Sequence, residues 1–230
     1  MLFLFDIDGT LLSGATATHA EALHRALNRV HGIDADNVRS PLAPAGRTDG
    51  EIARAILLAA GVSARRIDER ADAVRDECCR IYAELSTEDL SRTVLPGVKV
   101  LLEWLSGRED VKLALVTGNF EPIARLKLKR AGLGHHFQAG QGAFGSDSED
   151  RVSLPPLARR RAGVTGHPHP REETLLIGDT TRDIVCARSD GVRCFAVATG
   201  PVPAGELMEA DGVAADAAEL SILLQAVLDT

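Results

Sequence analysis

Short, continuously apolar runs that alternate with amphipathic helical patterns constrain this chain more than any other feature of its sequence. The four clearest runs are Leu2–Ile7, Val111–Thr117, Thr174–Gly178 and Val192–Ala198. They are bounded by glycine, aspartate or threonine, which is typical of strands covered on both faces. Two weaker runs lie near 137–144 and 212–215. Because a repeated strand–helix–strand order builds a parallel sheet wrapped by helices, the sequence predicts an α/β fold with a Rossmann-like core.

One part of the chain departs from this alternation, since residues 15–86 contain no convincing strand. Their helical patterns cover Thr18–Val30, Gly50–Ala60 and Ala64–Leu85, and a loop rich in helix breakers, Ser40–Asp49, separates the first two. The helical patterns elsewhere are Pro96–Ser106, Glu121–Ala131, Ser153–Ala162 and Asp216–Leu228. We therefore predict a core domain formed by 1–14 and 87–230, interrupted by an all-helical cap at 15–86.

Charge and composition exclude several classes of partner. The 230 residues carry a formal net charge of −7, so the chain lacks the global positive field that holds a nucleic-acid backbone. No apolar run approaches the roughly 20 residues that span a bilayer. Asp6 and Asp8 interrupt the apolar amino terminus at once, and no basic segment precedes it, so a signal peptide is not expected. We expect a cytoplasmic monomer or homodimer that acts on a small molecule, with its four cysteines as free thiols.

Polar clusters follow three of the predicted strands. They are Asp6–Thr10, Thr117–Asn119 and Gly178–Asp183. The carboxyl ends of parallel strands share one edge of the sheet, where sites form in such folds. Carboxylates gathered there repel one another unless a cation offsets them. Because the acids, Asp6, Asp8, Asp179 and Asp183, bring only hard oxygen ligands, with no histidine or cysteine beside them, the pattern favours Mg²⁺ over Zn²⁺.

The pair Asp6 and Asp8 suits a two-step phosphoryl transfer. Gly9 lets the chain turn, so one carboxylate can act as nucleophile while the other protonates the leaving group and later activates water. The transferred phosphoryl group also needs donors and a cation. Thr117 and the Gly118 amide are candidate donors, and Arg151 is the candidate cation.

These motifs resemble those of the haloacid dehalogenase-like hydrolase superfamily, specifically its phosphatases. The first motif, an apolar strand followed by D-x-D-G-T, stands at Leu2–Thr10. The second, a strand that ends in threonine, stands at Leu113–Asn119, and the fourth, G-D-x-x-x-D, stands at Gly178–Asp183. A helical cap between the first and second motifs is typical of the phosphoglycolate phosphatase and β-phosphoglucomutase branch, and residues 15–86 look like that cap.

The resemblance implies a role for each acid. Asp6 would be the nucleophile and an Mg²⁺ ligand, and Asp8 the acid and base that also offers a backbone carbonyl to the metal. Asp179 and Asp183 would complete the metal site. Thr117, Gly118 and Asn119 would bind phosphate.

Two of the expected site residues are arginines. The third motif is usually a lysine, but the chain has none between Arg130 and Asp179. Arg151 is the nearest positional match, with Arg159–Arg161 as rivals. In capped relatives, the loop that here contains Arg47 carries substrate-selecting residues, so Arg47 could reach a second anionic group. Alternatively, this loop only caps the following helix, through Thr48 or Asp49.

Together, the motifs and the resemblance predict an Mg²⁺-dependent phosphatase for a small phosphate monoester such as phosphoglycolate. A sugar phosphomutase of the same fold would share Asp6 and Asp8. A hydrolytic dehalogenase is disfavoured, because that branch lacks the second aspartate. A non-catalytic phospho-acceptor switch also uses aspartate, threonine and Mg²⁺, but needs neither Asp8 nor a cap. Intact motifs argue against a scaffold protein with a dead site.

Overall fold

Six parallel strands form one sheet at the centre of the computed structural model, which describes residues 1–38, 42–164 and 166–229. The strands are β1 (Leu2–Phe5), β2 (Lys112–Thr117), β3 (Ala143–Phe144), β4 (Thr174–Gly178), β5 (Arg193–Val197) and β6 (Gly212–Ala214). Their order across the sheet is β3-β2-β1-β4-β5-β6, and all five pairings are parallel. The predicted α/β fold with a Rossmann-like sheet is confirmed.

The order of the strands changes direction at β1, and folds of this kind form a crevice at such a point. β1 lies between β2 and β4, so the chain leaves it on one side and returns on the other. Ligands bind beyond the carboxyl ends of strands at such a point. The polar segments after β1, β2 and β4 therefore meet there.

Eight α-helices accompany the sheet in the described part of the chain. They are α1 (Ala17–His31), α2 (Asp49–Ala59), α3 (Ala64–Leu85), α4 (Val98–Ser106), α5 (Glu121–Arg130), α6 (Leu154–Ala162), α7 (Thr181–Asp190) and α8 (Ala217–Leu228). Helix α7 was not among the predicted helices, and its first turn includes the last residues of the fourth motif. Among residues 1–38, 42–164 and 166–229, no helix combines the length and hydropathy of a bilayer-spanning segment.

Several predicted boundaries differ from those observed. The strand predicted near 137–144 is only two residues long, because Gly140 and Gly142 adopt positive φ and interrupt extended backbone just before it. β1 ends at Phe5 rather than Ile7, where the chain turns into the first motif. Ser40 and Pro41, at the start of the predicted breaker loop, lie outside the described residues.

Both faces of the sheet are buried, as the continuous apolar runs predicted. Phe3 and Phe5 point into a cluster shared with α4 and α8. Leu2 and Leu4 point to the opposite face, into a cluster shared with α6 and α7. A third cluster joins α1, α2 and α3, and it includes Phe120 and Ile123 from the start of α5. The all-helical segment thus has its own apolar centre, which packs on the start of α5, directly after the second motif.

Candidate active site

Three carboxylates meet beyond the carboxyl ends of β1 and β4. Asp6 directly follows β1, Asp179 directly follows β4, and Asp183 lies in the first turn of α7. One oxygen from each lies within 4.8 Å of the others, and all three residues are buried. The orientation of Asp183 is set locally, since its Oδ2 accepts hydrogen bonds from Thr180 N at 3.0 Å and Thr180 Oγ1 at 2.7 Å.

Glycines make room for Asp179. A Cβ atom at Gly9, where φ is +91°, would lie 2.2 Å from Asp179 Oδ2, and one at Gly200 would lie 1.7 Å from the same oxygen. Thr10 Oγ1 donates to Asp179 Oδ1 at 3.0 Å, whereas the buried Oδ2 has no hydrogen-bond partner among the residues that the structure describes. An orphaned carboxylate oxygen beside two further acids is a fitting ligand for a cation.

The electrostatics of this cluster point the same way. Burial raises the pKa of Asp6 well above its ordinary value; Arg151 opposes this rise and Asp183 adds to it. Burial also raises the pKa of Asp179, and the charge of Asp6 raises it further. A divalent cation would remove this cost of ionisation. Because the donors are hard oxygens, the cluster fits Mg²⁺.

Arg151 is the arginine that contacts this cluster. It opens a short 3-10 helix, Arg151–Ser153, and its buried guanidinium Nη2 lies 3.2 Å from Asp6 Oδ2 and bonds to Asp183 Oδ1. The rivals are placed elsewhere: Arg159 pairs with Asp190, Arg161 pairs with Asp147, and Arg160 is exposed. The location expected for Arg151 is therefore observed, while its role stays a prediction.

Asp8 lies apart from the three clustered acids. Its carboxylate oxygens accept hydrogen bonds from Lys127 Nζ at 2.7 and 2.9 Å, and Oδ2 also accepts one from Asn119 Nδ2 at 2.9 Å. Burial by itself would raise the pKa of Asp8, but the charge and hydrogen bonds of Lys127 bring the net shift below the ordinary value. The side chain is thus held in its ionised form, away from the acidic cluster.

Lys127 was not among the residues predicted for the site, although the sequence pattern of α5 indicates that it is buried. The buried face of α5 comprises Ile123, Ala124, Lys127 and Leu128, which recur at helical spacing. A lysine on such a face requires a partner, because an unpaired buried ammonium is costly. The partner, Asp8, lies 119 residues away in sequence.

Next to Asp8 and Lys127 lie the residues expected to bind phosphate, Thr117, Gly118 and Asn119. Thr117 is fully buried at the end of β2, and its Oγ1 accepts a hydrogen bond from Asn119 Nδ2 at 2.9 Å. Gly118 is covered by the loop before α2, since a Cβ there would lie 2.0 Å from the carbonyl oxygen of Arg47. The carbonyl of Gly118 accepts a hydrogen bond from Asp49 N at 2.9 Å.

The loop 47–49 caps the following helix, as the alternative interpretation predicted, and it also contacts the core. Thr48 caps α2 by accepting a hydrogen bond from Glu51 N at 3.1 Å. Asp49 Oδ2 accepts one from Phe120 N at 2.7 Å and lies 3.0 Å from His19 Nε2. The Arg47 guanidinium bonds to Glu51 and to the carbonyl of Ala43, so in this structure it is turned along its own loop.

Comparison with known proteins agrees with the motifs and the fold. Residues 3–188 match the family described as haloacid dehalogenase-like hydrolase. A phosphoglycolate phosphatase of Pseudomonas putida is 26% identical over 207 residues, which cover 86% of this chain and 70% of that protein.

Two solved structures share the fold along nearly the whole chain. A hydrolase from Pseudomonas syringae superposes with a TM-score of 0.67 at 24% identity, covering 98% of both chains. CbbY from Rhodobacter sphaeroides, solved in complex with phosphate, gives a TM-score of 0.64 at 20% identity and 95% coverage of both chains. Because the matching family model spans most of the sequence and the fold agrees with it, this chain belongs to the haloacid dehalogenase-like hydrolase family.

Proposed function

We propose that this enzyme is an Mg²⁺-dependent phosphatase that hydrolyses a small phosphate monoester, phosphoglycolate or a close analogue, through an aspartyl phosphate on Asp6. The observation that carries the proposal is the separation of two neighbouring aspartates. Asp6 lies with Asp179, Asp183 and Arg151, whereas Asp8 is held apart by Lys127 and Asn119. This separation supports Asp6 as the nucleophile and Asp8 as the proton carrier.

Asp6, Asp179 and Asp183 would hold the Mg²⁺ ion, and the backbone carbonyl of Asp8 is a further candidate ligand. When bound, the ion would neutralise negative charge on the phosphoryl oxygens and on these carboxylates. Arg151 offers a charge that persists at any physiological pH and a planar set of donors. It can hold Asp6 and Asp183 in place and stabilise the charge that develops during transfer.

The reaction balances in two steps. An Asp6 carboxylate oxygen attacks phosphorus, the bond from phosphorus to the leaving oxygen breaks, and Asp8, which takes up a proton when the substrate binds, gives that proton to the leaving oxygen. Water then attacks the phosphorus of the aspartyl phosphate and loses a proton to Asp8. The bond to Asp6 breaks, which releases inorganic phosphate and restores the carboxylate. Lys127 favours the ionised Asp8 that this second step requires.

Residues 15–86 are proposed as the cap that encloses the site. Its loop 47–49 already lies on Gly118 and bonds to Phe120 N, and Asp6 is only 4% exposed. A covered site excludes bulk water, and it favours a small substrate in which Thr117, Gly118 and Asn119 bind the phosphoryl group. Arg47 could bind a second anionic group of that substrate after releasing Glu51.

The experiment is a phosphate-release assay on purified protein with Mg²⁺ and a panel of small phosphate monoesters that includes phosphoglycolate. We expect multiple turnovers for at least one ester and loss of activity with EDTA. Conversion of β-glucose 1-phosphate to glucose 6-phosphate without phosphate release would indicate the mutase instead. A long-lived phosphorylated protein without turnover would indicate a phospho-acceptor switch.

A further inference from the structure

Lys127 has no donor left over for a substrate. An ammonium group has three protons, and Nζ lies within hydrogen-bonding distance of Asp8 Oδ1 and Oδ2, Asn119 Oδ1 at 2.8 Å and His19 Nδ1 at 3.3 Å. The side chain is fully buried. Because all its protons bind protein atoms, the buried Lys127 ammonium group orients these protein partners instead of binding a substrate.

The contacts of Lys127 reach both parts of the molecule. Lys127 and Asn119 belong to the core, whereas His19 lies on α1 of the helical segment. The opposite nitrogen of that ring, Nε2, lies 3.0 Å from Asp49 Oδ2, which also accepts the Phe120 N–H. With Nε2 protonated towards Asp49, Nδ1 keeps the lone pair that accepts from Lys127. His19 and Asp49, both on the helical segment, therefore help to hold the Lys127 side chain in place.

We propose that Lys127 is a positioning residue for Asp8: it fixes the carboxylate beside, and not within, the Asp6–Asp179–Asp183 cluster, and His19 and Asp49 hold it there. This inference rests on the proposed function, because it assigns Lys127 to the proton-transfer part of that reaction. Two bonds from one ammonium and a third from Asn119 leave the Asp8 carboxylate little freedom to rotate. In the proposed reaction, this fixed carboxylate accepts the proton of the water that attacks the aspartyl phosphate.

The test is pre-steady-state hydrolysis of p-nitrophenyl phosphate with Mg²⁺ by wild type, Lys127→Met and the control Lys129→Met. p-Nitrophenolate leaves without needing a proton, so the first step depends little on Asp8. We expect Lys127→Met to release one equivalent of p-nitrophenolate per site in a burst, followed by turnover slowed about 100-fold, the lower range for lost acid–base catalysis. Lys129 lies on the same helix but is exposed, so its variant should match wild type.

A double-mutant comparison separates positioning from general damage. If Lys127 acts through Asp8, adding Lys127→Met to Asp8→Asn should slow turnover no further. Unchanged turnover in Lys127→Met, a burst amplitude that falls in proportion to the rate, or an additional loss in the double variant would each overturn the inference. If Lys127→Met does not fold, as judged by circular dichroism, His19→Leu provides the same test from the helical segment, and the burst with slowed turnover is expected there.

Failure of the proposed function would look different. A wild-type protein that releases neither phosphate nor p-nitrophenolate from any ester would refute the phosphatase itself. An active wild type with an unaffected Lys127→Met variant would refute only the role of Lys127.

Discussion

Thr48 donates its hydroxyl proton to the backbone carbonyl of Glu149, 2.7 Å away, while the same oxygen accepts the Glu51 N–H at 3.1 Å. This fully buried side chain therefore both begins α2 and joins the helical segment to the loop that leads into Arg151. Arg54 adds a second link to the same residue, with Nε and Nη2 donating to the Glu149 carboxylate at 2.5 and 3.0 Å.

Replacing Thr48 with valine should destabilise the protein by about 1–3 kcal/mol, because the isosteric side chain leaves a partly buried N–H and a partly buried carbonyl without their present partner. Urea denaturation followed by circular dichroism measures this loss. Thr87→Val is the matched control, since Thr87 is exposed, and it should change the free energy of unfolding little. Equal stability of the two variants would show that the Thr48 bonds contribute nothing net.

Replacing Asp6 with asparagine should abolish phosphate release from p-nitrophenyl phosphate, by roughly 10³-fold or more, because the covalent route loses its nucleophile. The melting temperature without Mg²⁺ should not fall. Burial disfavours the charged form of Asp6, and a neutral amide of similar shape avoids that cost. An active Asp6→Asn variant would contradict the proposed mechanism, and a lower melting temperature in the metal-free variant would contradict the cost that burial imposes on the charged Asp6.

Mg²⁺ should stabilise the protein more at about pH 8 than at about pH 6. In the metal-free fold, burial and neighbouring acids raise the pKa of Asp179 from 3.8 to about 8. Because the folded state then binds protons that the unfolded chain releases, metal-free stability falls as pH rises through this interval. A cation that binds the ionised cluster offsets the loss. Thermal melting with Mg²⁺ and with EDTA at both pH values checks this, and a shift independent of pH would count against a metal site at the three acids.

Replacing Arg151 with alanine should remove about 2–4 kcal/mol of transition-state stabilisation, the cost of losing one preorganised donor. It would also leave Asp6 and Asp183 without their buried counter-charge. Arg151→Lys should retain more activity, because a lysine supplies the same charge without the planar set of donors. Steady-state kinetics on both variants measure the difference, and an unaltered rate in Arg151→Ala would assign the role to another cation.

Replacing Gly200 with alanine should weaken Mg²⁺ binding about 10–100-fold, the usual effect of disturbing a group that supports a metal ligand. The added Cβ would lie 1.7 Å from Asp179 Oδ2, so the carboxylate has to move. Gly205→Ala is the control, because no atom of the described residues, apart from Gly205 and its two chain neighbours, lies within 4 Å of the added Cβ. Calorimetric titration with Mg²⁺ compares the two, and equal affinities would show that Asp179 does not need its present position.

The sequence alone was enough to predict the α/β fold, the inserted run of helices and the convergence of Asp6, Asp179 and Asp183. Each of these depends on local signals: apolar runs, helical spacing and acids at strand ends. Since parallel strands carry their carboxyl ends to one edge, the acids after β1 and β4 were expected at the same edge of the sheet, and the pairing of these two strands brings them together. α3 shows the same, because its apolar stripe predicted a helix at Ala64–Leu85 and the observed helix has these bounds.

Only the tertiary structure decided which partners these residues take. Lys127 reaches Asp8 across 119 residues, and Thr48 reaches Glu149 across 101. Gly200, which lies beyond β5, leaves room for Asp179, which directly follows β4. Such pairs depend on how helices pack onto the sheet and on which buried polar groups must satisfy one another, and no spacing along a single segment encodes that. The sequence therefore determined where the acids gather, and the packing determined that Asp8 is drawn away from them.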